Sequence, residues 1–267
     1  MEKRLFGEII KNKHILFAMI KRDLRARYVG SALGVFWSVI NPLIMLSIYI
    51  VLFSKIWNVK IGGKGGLQDF AIYLCCALFP WNAMSESIIR SSNIIIEHSS
   101  LIKRVSFPQT ILPLFANLSS FVHLFIAYGL FIIFLIIIEG PMILIYIVFL
   151  PFVFFLQLIF TLGPSYFFAT INVFFRDTSQ ILGAVFTFLF WGTPIVYSPD
   201  IFKIKIVHYW FIINPFYQMV NIYRDILMYK KFPNIISLVY LVVLSFVMLV
   251  IGVGIFQRSK RKFVDEV

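Results

Sequence analysis

Charge is what this sequence has least of: 13% of its 267 residues are Asp, Glu, Lys or Arg, against about 25% in soluble domains. The shortage excludes a water-soluble fold, because 24 basic and 12 acidic residues cannot cover a chain that is 60% hydrophobic. Cysteine is nearly absent. The only two, Cys75 and Cys76, are adjacent; neighbours cannot close a disulfide without severe strain and make no metal site alone, so they read as small buried hydrophobes. Catalytic signatures are missing as well. There is no H-E-x-x-H or G-x-S-x-G, and the Gly-rich stretch around Lys64 lacks the G-x-x-x-x-G-K-[ST] spacing that cradles phosphates. ATP hydrolysis by this chain alone is thereby excluded. The N-terminus shows no short apolar core with a small-residue cleavage site, so no cleavable signal is expected. No internal repeat supports an inverted-repeat transporter.

What is present is apolar length. Seven long intervals contain no charged residue: 28–54, 70–85, 105–138, 140–175, 178–199, 206–223 and 232–257. A helix needs about 20 apolar residues to cross about 30 Å of hydrocarbon, and six of these intervals read as spans. The seventh, 206–223, carries His208, Asn214, Pro215, Gln218 and Asn221 among its aromatics, which suits an interfacial or re-entrant segment. The interval 70–85 extends to Ile89 if Glu86 faces protein. Those at 105–138 and 140–175 are too short for two spans and a turn, so each is expected to hold one long tilted helix.

Six spans place both termini on one side, and both are basic. With that side cytoplasmic, inner segments collect roughly twice the Lys and Arg of outer ones, as the positive-inside rule requires. The net charge of +12 is therefore topological, and nucleic-acid binding is not expected. The predicted fold is an all-α integral membrane protein. Residues 1–30 form an amphipathic cytoplasmic interface helix, 31–256 a six-span domain with re-entrant external helices between spans five and six, and 257–267 a basic cytoplasmic tail. The segment 89–108 reads as a helix-length cytoplasmic element, Arg176-Asp177 as a short second inner loop, and Glu139-Gly140-Pro141 as a minimal outer hairpin.

Several residues are candidates for function. Ile9, Leu16, Ile20 and Leu24 form an apolar stripe with Lys11, Lys21, Arg22 and Arg25 elsewhere on the helix, and Asp23 and Arg27 make an i,i+4 pair. Such a helix either lies on anionic headgroups or docks a cytoplasmic partner. Asn117, Ser120 and His123 share one helical face, and Gln157, Thr161, Ser165 and Asn172 another; these stripes serve interhelical hydrogen bonding or line a polar path. Gly30 and Gly34 form a small-xxx-small pair. Glu86 and His123, ionisable at membrane depth, are either structural or proton carriers. The 31 Phe, 12 Tyr and 5 Trp exceed what two interfacial belts require, and a ring of them would stack on sugar faces.

Specific strings carry a resemblance. RDLRARYVGSALGVFWSVINPLIMLSIYIVLF (22–53), FPWNAMSES (79–87), SLIKRVSFPQTILPL (100–114), NVFFRDTSQI (172–181), FWGTPIVYSPD (190–200) and INPFYQMVNIYRDIL (213–227) resemble, in order and spacing, type-2 ABC exporter permeases that move polysaccharides such as O-antigen, capsule and teichoic acid. The chain departs from that pattern at Cys75-Cys76-Ala77, where family members often carry glycine. The resemblance implies a homodimer in the bacterial inner membrane, with two separate ATPase subunits that bind ATP and Mg; this chain would be no enzyme and hold no cofactor. Arg22, Asp23, Arg25 and Arg27, with Leu101, Lys103, Arg104, Phe107 and Pro108, would contact the ATPases, and Arg176 and Asp177 would form a second contact. The substrate would be a polyprenyl-diphosphate-linked glycan threading between the two copies. Trp37, Trp81, Asn117, His123, Gln157, Thr193, Pro194, Tyr197, Asn214, Pro215 and Tyr217 are the candidates for its path or for an external gate at 194–230. Export of a smaller lipid or drug, and ion-coupled transport through Glu86 and His123, are the alternatives.

Overall fold

The computed structural model describes residues 2–28, 67–104 and 107–267, with isolated positions between 36 and 51. The expected first span, the Gly30–Gly34 pair and the loop around Lys64 lie outside the described residues, apart from those isolated positions. All the regular structure described is helical: α1 (Glu2–Lys11), α2 (Lys13–Tyr28), α3 (Leu67–Glu97), α4 (Ser99–Arg104), α5 (Ile111–Glu139), α6 (Leu144–Ile147), α7 (Leu150–Phe174), α8 (Thr178–Gly192), α9 (Lys205–Ile213), α10 (Pro215–Leu227), α11 (Ile235–Ser259) and α12 (Phe263–Glu266). Among the described residues four helices, α3, α5, α7 and α11, are long and apolar enough to cross a membrane.

At the centre, α7 packs against α11, α3 and α5. α7 and α11 approach closely, because Gly163 and Gly252 face each other at the crossing and neither presents a side chain. Small residues let helix backbones meet in this way. This pair was not singled out from the sequence, where only Gly30 and Gly34 had the expected spacing.

Three elements differ from the charge-gap reading. First, α3 runs unbroken from Leu67 to Glu97 and is followed after His98 by the short α4, so no separate helix begins at Ile89. Arg90, a good helix former, lies inside α3 and pairs with Asp23. Pro80 lies inside α3 and removes the N–H that would bond Cys76; the Tyr128 hydroxyl supplies the missing donor to the Cys76 carbonyl at 3.3 Å. Second, the interval 140–175 is not one helix. Gly140 takes φ +79 and ends α5, a 3-10 turn and α6 follow, and α7 starts with a proline in its first turn, a position that suits proline. Third, α8 has only 15 residues, about 22 Å at 1.5 Å per residue, and stops before Pro194.

Two apolar cores follow. One joins α3, α5, α7 and α10. The other, at the end that carries both termini, gathers Leu16 and Ile20 of α2, Ile95 of α3, Phe115 of α5, Tyr166 of α7, Phe256 of α11 and Phe263 of α12. The stripe expected on the N-terminal helix is therefore buried in the protein's own core, which leaves its basic face outward. The helix itself is divided at Asn12, whose amide donates to the Glu8 carbonyl at 2.7 Å. The C-terminal segment is folded back: Phe263 is fully buried and Lys260 pairs with Glu8 at 3.1 Å.

Candidate functional site

The terminal end presents a basic face. Lys11, Lys21, Arg22, Arg25, Lys103, Arg258, Arg261 and Lys262 are all exposed there. Leu101 is exposed on α4, and Phe107 and Pro108 are half-buried beside it; the side chains of Arg27 and Arg104 lie outside the described residues. A cleft of about 470 Å³ opens between α1, residues 107–110 and the C-terminal segment, lined by Glu8, Lys11, Phe107, Gln109, Lys260 and Arg261. Arg176 and Asp177 are exposed in the turn between α7 and α8.

Two acids fasten this face together. The Asp23 side chain is mostly buried, with 15% accessibility. Its carboxylate takes both arms of Arg90, one at 2.9 Å, and the Ser119 hydroxyl at 2.5 Å. Glu8 accepts from the Thr110 hydroxyl at 2.7 Å and from Lys260. Burial alone would raise the Glu8 carboxyl, but the Thr110 and Lys260 hydrogen bonds outweigh it and hold the group below its ordinary value of 4.5. A carboxyl that is more acidic in the folded state stabilises it above its ordinary pKa and loses that contribution as pH falls through the folded value. The C-terminal segment is thus expected to stay docked at neutral pH and to loosen below about pH 4.5, seen as faster proteolysis after Phe263; Glu8→Gln should remove that pH dependence.

The membrane stripes are used between helices. Asn117, fully buried, donates to the Pro113 carbonyl and to Ser91. Gln157, also fully buried, donates to the Pro80 carbonyl at 3.1 Å and accepts from the Tyr223 hydroxyl at 2.5 Å. Asn172 donates to Asn93 at 3.0 Å. Trp81 is buried among Phe186, Phe190 and Phe216. These contacts are the interhelical alternative for Asn117, Gln157 and Asn172, and they leave Asn117, Gln157 and Trp81 buried within the chain. His123 and Glu86 are half-buried, as is Trp37.

At the opposite end the gate candidates converge. Asn214 caps α10 through the N–H groups of Phe216 and Tyr217, with Pro215 as first residue, and its amide donates to the Thr193 hydroxyl at 2.9 Å. The Trp210 indole donates to the Gly192 carbonyl at 2.8 Å. The Tyr73 hydroxyl donates to the Tyr197 carbonyl at 2.7 Å and to that of Pro194 at 3.4 Å. The region expected to act as one gate has two characters. One face of α10 is buried, with Gln218, Tyr223 and Arg224 in the core, whereas Ile206, Tyr209, Trp210 and Ile213 leave α9 largely exposed. Lys230 pairs with Glu139, joining the end of α10 to the end of α5. Tyr73, Arg224, Glu8 and Lys260 were not singled out from the sequence; the one cue was an arginine amid the aromatics of 213–227.

Membrane-length apolar helices around a shared core, with both termini at one end, define a polytopic membrane protein. The description "ABC-2 type transporter" matches residues 14–228, and the chain belongs to that family. Its members are the membrane component of ABC transporters in the inner membrane and work with an ATPase subunit, without being the ATPase. The chain is similar to an O-antigen export system permease protein RfbA of Klebsiella pneumoniae, 30% identical over 253 residues that cover 94% of each chain. A second from that organism is 29% identical over the same length, and one from Myxococcus xanthus is 28% identical over 275 residues, 99% of each chain.

Proposed function

We propose that this chain is the permease subunit of an ATP-driven exporter of a lipid-linked polysaccharide. The observation that carries the reading is the near full-length similarity to three permeases named for O-antigen export. In this reading two copies form the pore and two ATPase subunits hold ATP and Mg, so this chain supplies no catalytic group. The basic terminal end faces the cytoplasm, in keeping with the positive-inside rule. In this reading α8 is the fifth span despite its length, and α9 and α10 dip back from the outer face. The exposed rings of Trp191, Tyr209 and Trp210, with Tyr217, offer aromatic surface to a sugar face. Motion is driven by ATP binding in the partner, which needs no intramembrane charge relay.

The test is export. The chain, co-expressed with a candidate partner ATPase that carries a P-loop, is placed in a host that makes a lipid-linked glycan but lacks its own permease. Surface glycan detected by antibody is the expected result. Accumulation of lipid-linked glycan on the cytoplasmic side, with both subunits assembled, would overturn the reading in favour of a smaller lipid or drug. For the docking face, Lys103→Glu with Arg104→Glu is expected to weaken ATPase association about tenfold, since reversed charges at an interface rim repel a complementary partner. Unchanged co-purification would remove 99–108 from the docking surface.

A further inference from the structure

Residues 193–197 pose a chemical problem. They follow an apolar helix too short to cross a bilayer by itself, they are not helical, and Thr193, Ile195 and Val196 are fully buried. Non-helical backbone at membrane depth persists only where protein groups satisfy it. Here the donors come from two other elements. Tyr73 of α3 takes the carbonyls of Pro194 and Tyr197, and a guanidinium nitrogen of Arg224 on α10 takes that of Ile195 at 3.0 Å. The two donors also hold each other, with the Arg224 guanidinium 3.5 Å from the centre of the Tyr73 ring.

Arg224 is only 2% exposed. Among the described residues no carboxylate pairs with it, and its Nε has no hydrogen-bond partner. Burying an unneutralised charge is costly, and a neutral amide would satisfy one carbonyl with less desolvation. What the guanidinium does in addition is bridge the Ile195 carbonyl and the Tyr73 face at once. The helix it holds is continuous. The 31 residues of α3 span about 46 Å, of which the 17-residue step from Tyr73 to Arg90, itself tied to Asp23, covers about 26 Å; the helix then leads into α4 and the docking segment.

We propose that Arg224 is a positioning residue for transport: with Tyr73 it fastens the exit segment 193–197 to the far end of α3, so that displacement of the docking end of α3 by the ATPase reaches that segment. One helix is tied to both surfaces; coupling between them then requires that both bias the same conformational equilibrium, which the ATP response of 193–198 reads out. The inference rests on the export reading above, and the experiment separates the two.

The full complex with its ATPase, in lipid nanodiscs, is compared as wild type, Arg224→Met, Arg224→Lys and Tyr73→Phe. Hydrogen exchange of residues 193–198 is followed with and without ATP, using a hydrolysis-deficient ATPase, and glycan export and ATPase rate are measured in the active complex. In the wild type, ATP is expected to change exchange at 193–198. In Arg224→Met and Tyr73→Phe that response is lost and export falls about tenfold, within the usual range of coupling between sites, while ATPase rate and co-purification hold. Arg224→Lys regains part of both. Should assembly, ATPase rate and export fall in parallel in Arg224→Met and also in the milder Tyr73→Phe, Arg224 is only a scaffold and the inference is overturned. An unchanged exchange response in both variants overturns it too. A wild-type complex that shows the ATP response but exports no glycan would sink the export reading and leave the coupling standing. Export without any response at 193–198 would do the reverse.

Discussion

Gly252→Leu is expected to leave little folded permease, and even Gly252→Ala to lower its thermal stability markedly. A β-carbon on Gly252 would be driven into the backbone carbonyl of Gly163, and one on Gly163 would come within 2.6 Å of the Leu249 nitrogen and the Met248 oxygen. These obstacles are backbone atoms of the opposing helix, so no side chain can swing aside. The only relief is separation of α7 from α11 along this contact. Overpacking of this kind costs about 3 kcal/mol or more. Gly129 provides the control, since a β-carbon there meets nothing within 4 Å, and Gly129→Ala in a helix interior should raise stability by about 0.5–1 kcal/mol. The measurement is the unfolding temperature of purified protein in detergent, with the monodisperse fraction. If Gly252→Ala melts with the wild type, α7 and α11 do not meet as described.

The contrast between these glycines shows what the sequence makes readable. Long apolar runs announced α5, α7 and α11, because a soluble domain rarely holds a charge-free stretch of membrane length. The stripe of Leu16 and Ile20 was readable from helical spacing, but not its partner: whether it meets headgroups or protein depends on residues as remote as Phe256 and Phe263. The length of α3 was hidden for the same reason. Glu86 and Arg90 interrupt the apolar run in the sequence, yet the charge of Arg90 is paired with Asp23, 67 residues away. Likewise, Arg224 counts as a loop charge until Tyr73 and Ile195 are brought beside it. The end of α8 did carry a written cue. The residue before a proline avoids helical angles, and Thr193 precedes Pro194. The Gly163–Gly252 contact carried none, because close approach belongs to two helices at once.

The other large effect concerns Asp23 and Arg90. Their side chains retain 15% and 19% accessibility, and Arg90 also lies 5.3 Å from the centre of the Phe115 ring. Asp23→Ala would strand a mostly buried cation, and Arg90→Ala would take the bidentate guanidinium from a mostly buried carboxylate. Breaking a fully buried pair from one side costs about 3–5 kcal/mol; with this residual exposure each single variant should lose about 2 kcal/mol. The double variant should lose less than the sum of the singles, with a coupling of about 1 kcal/mol or more between them. The pair joins α2 to α3, so its loss also frees the exposed face of Lys21, Arg22 and Arg25 from its fixed position beside α4. ATPase co-purification should therefore decline in both single variants even where the spans remain folded, and Asp23→Arg with Arg90→Asp should recover part of it. Strict additivity of the unfolding free energies would show that the two side chains act separately.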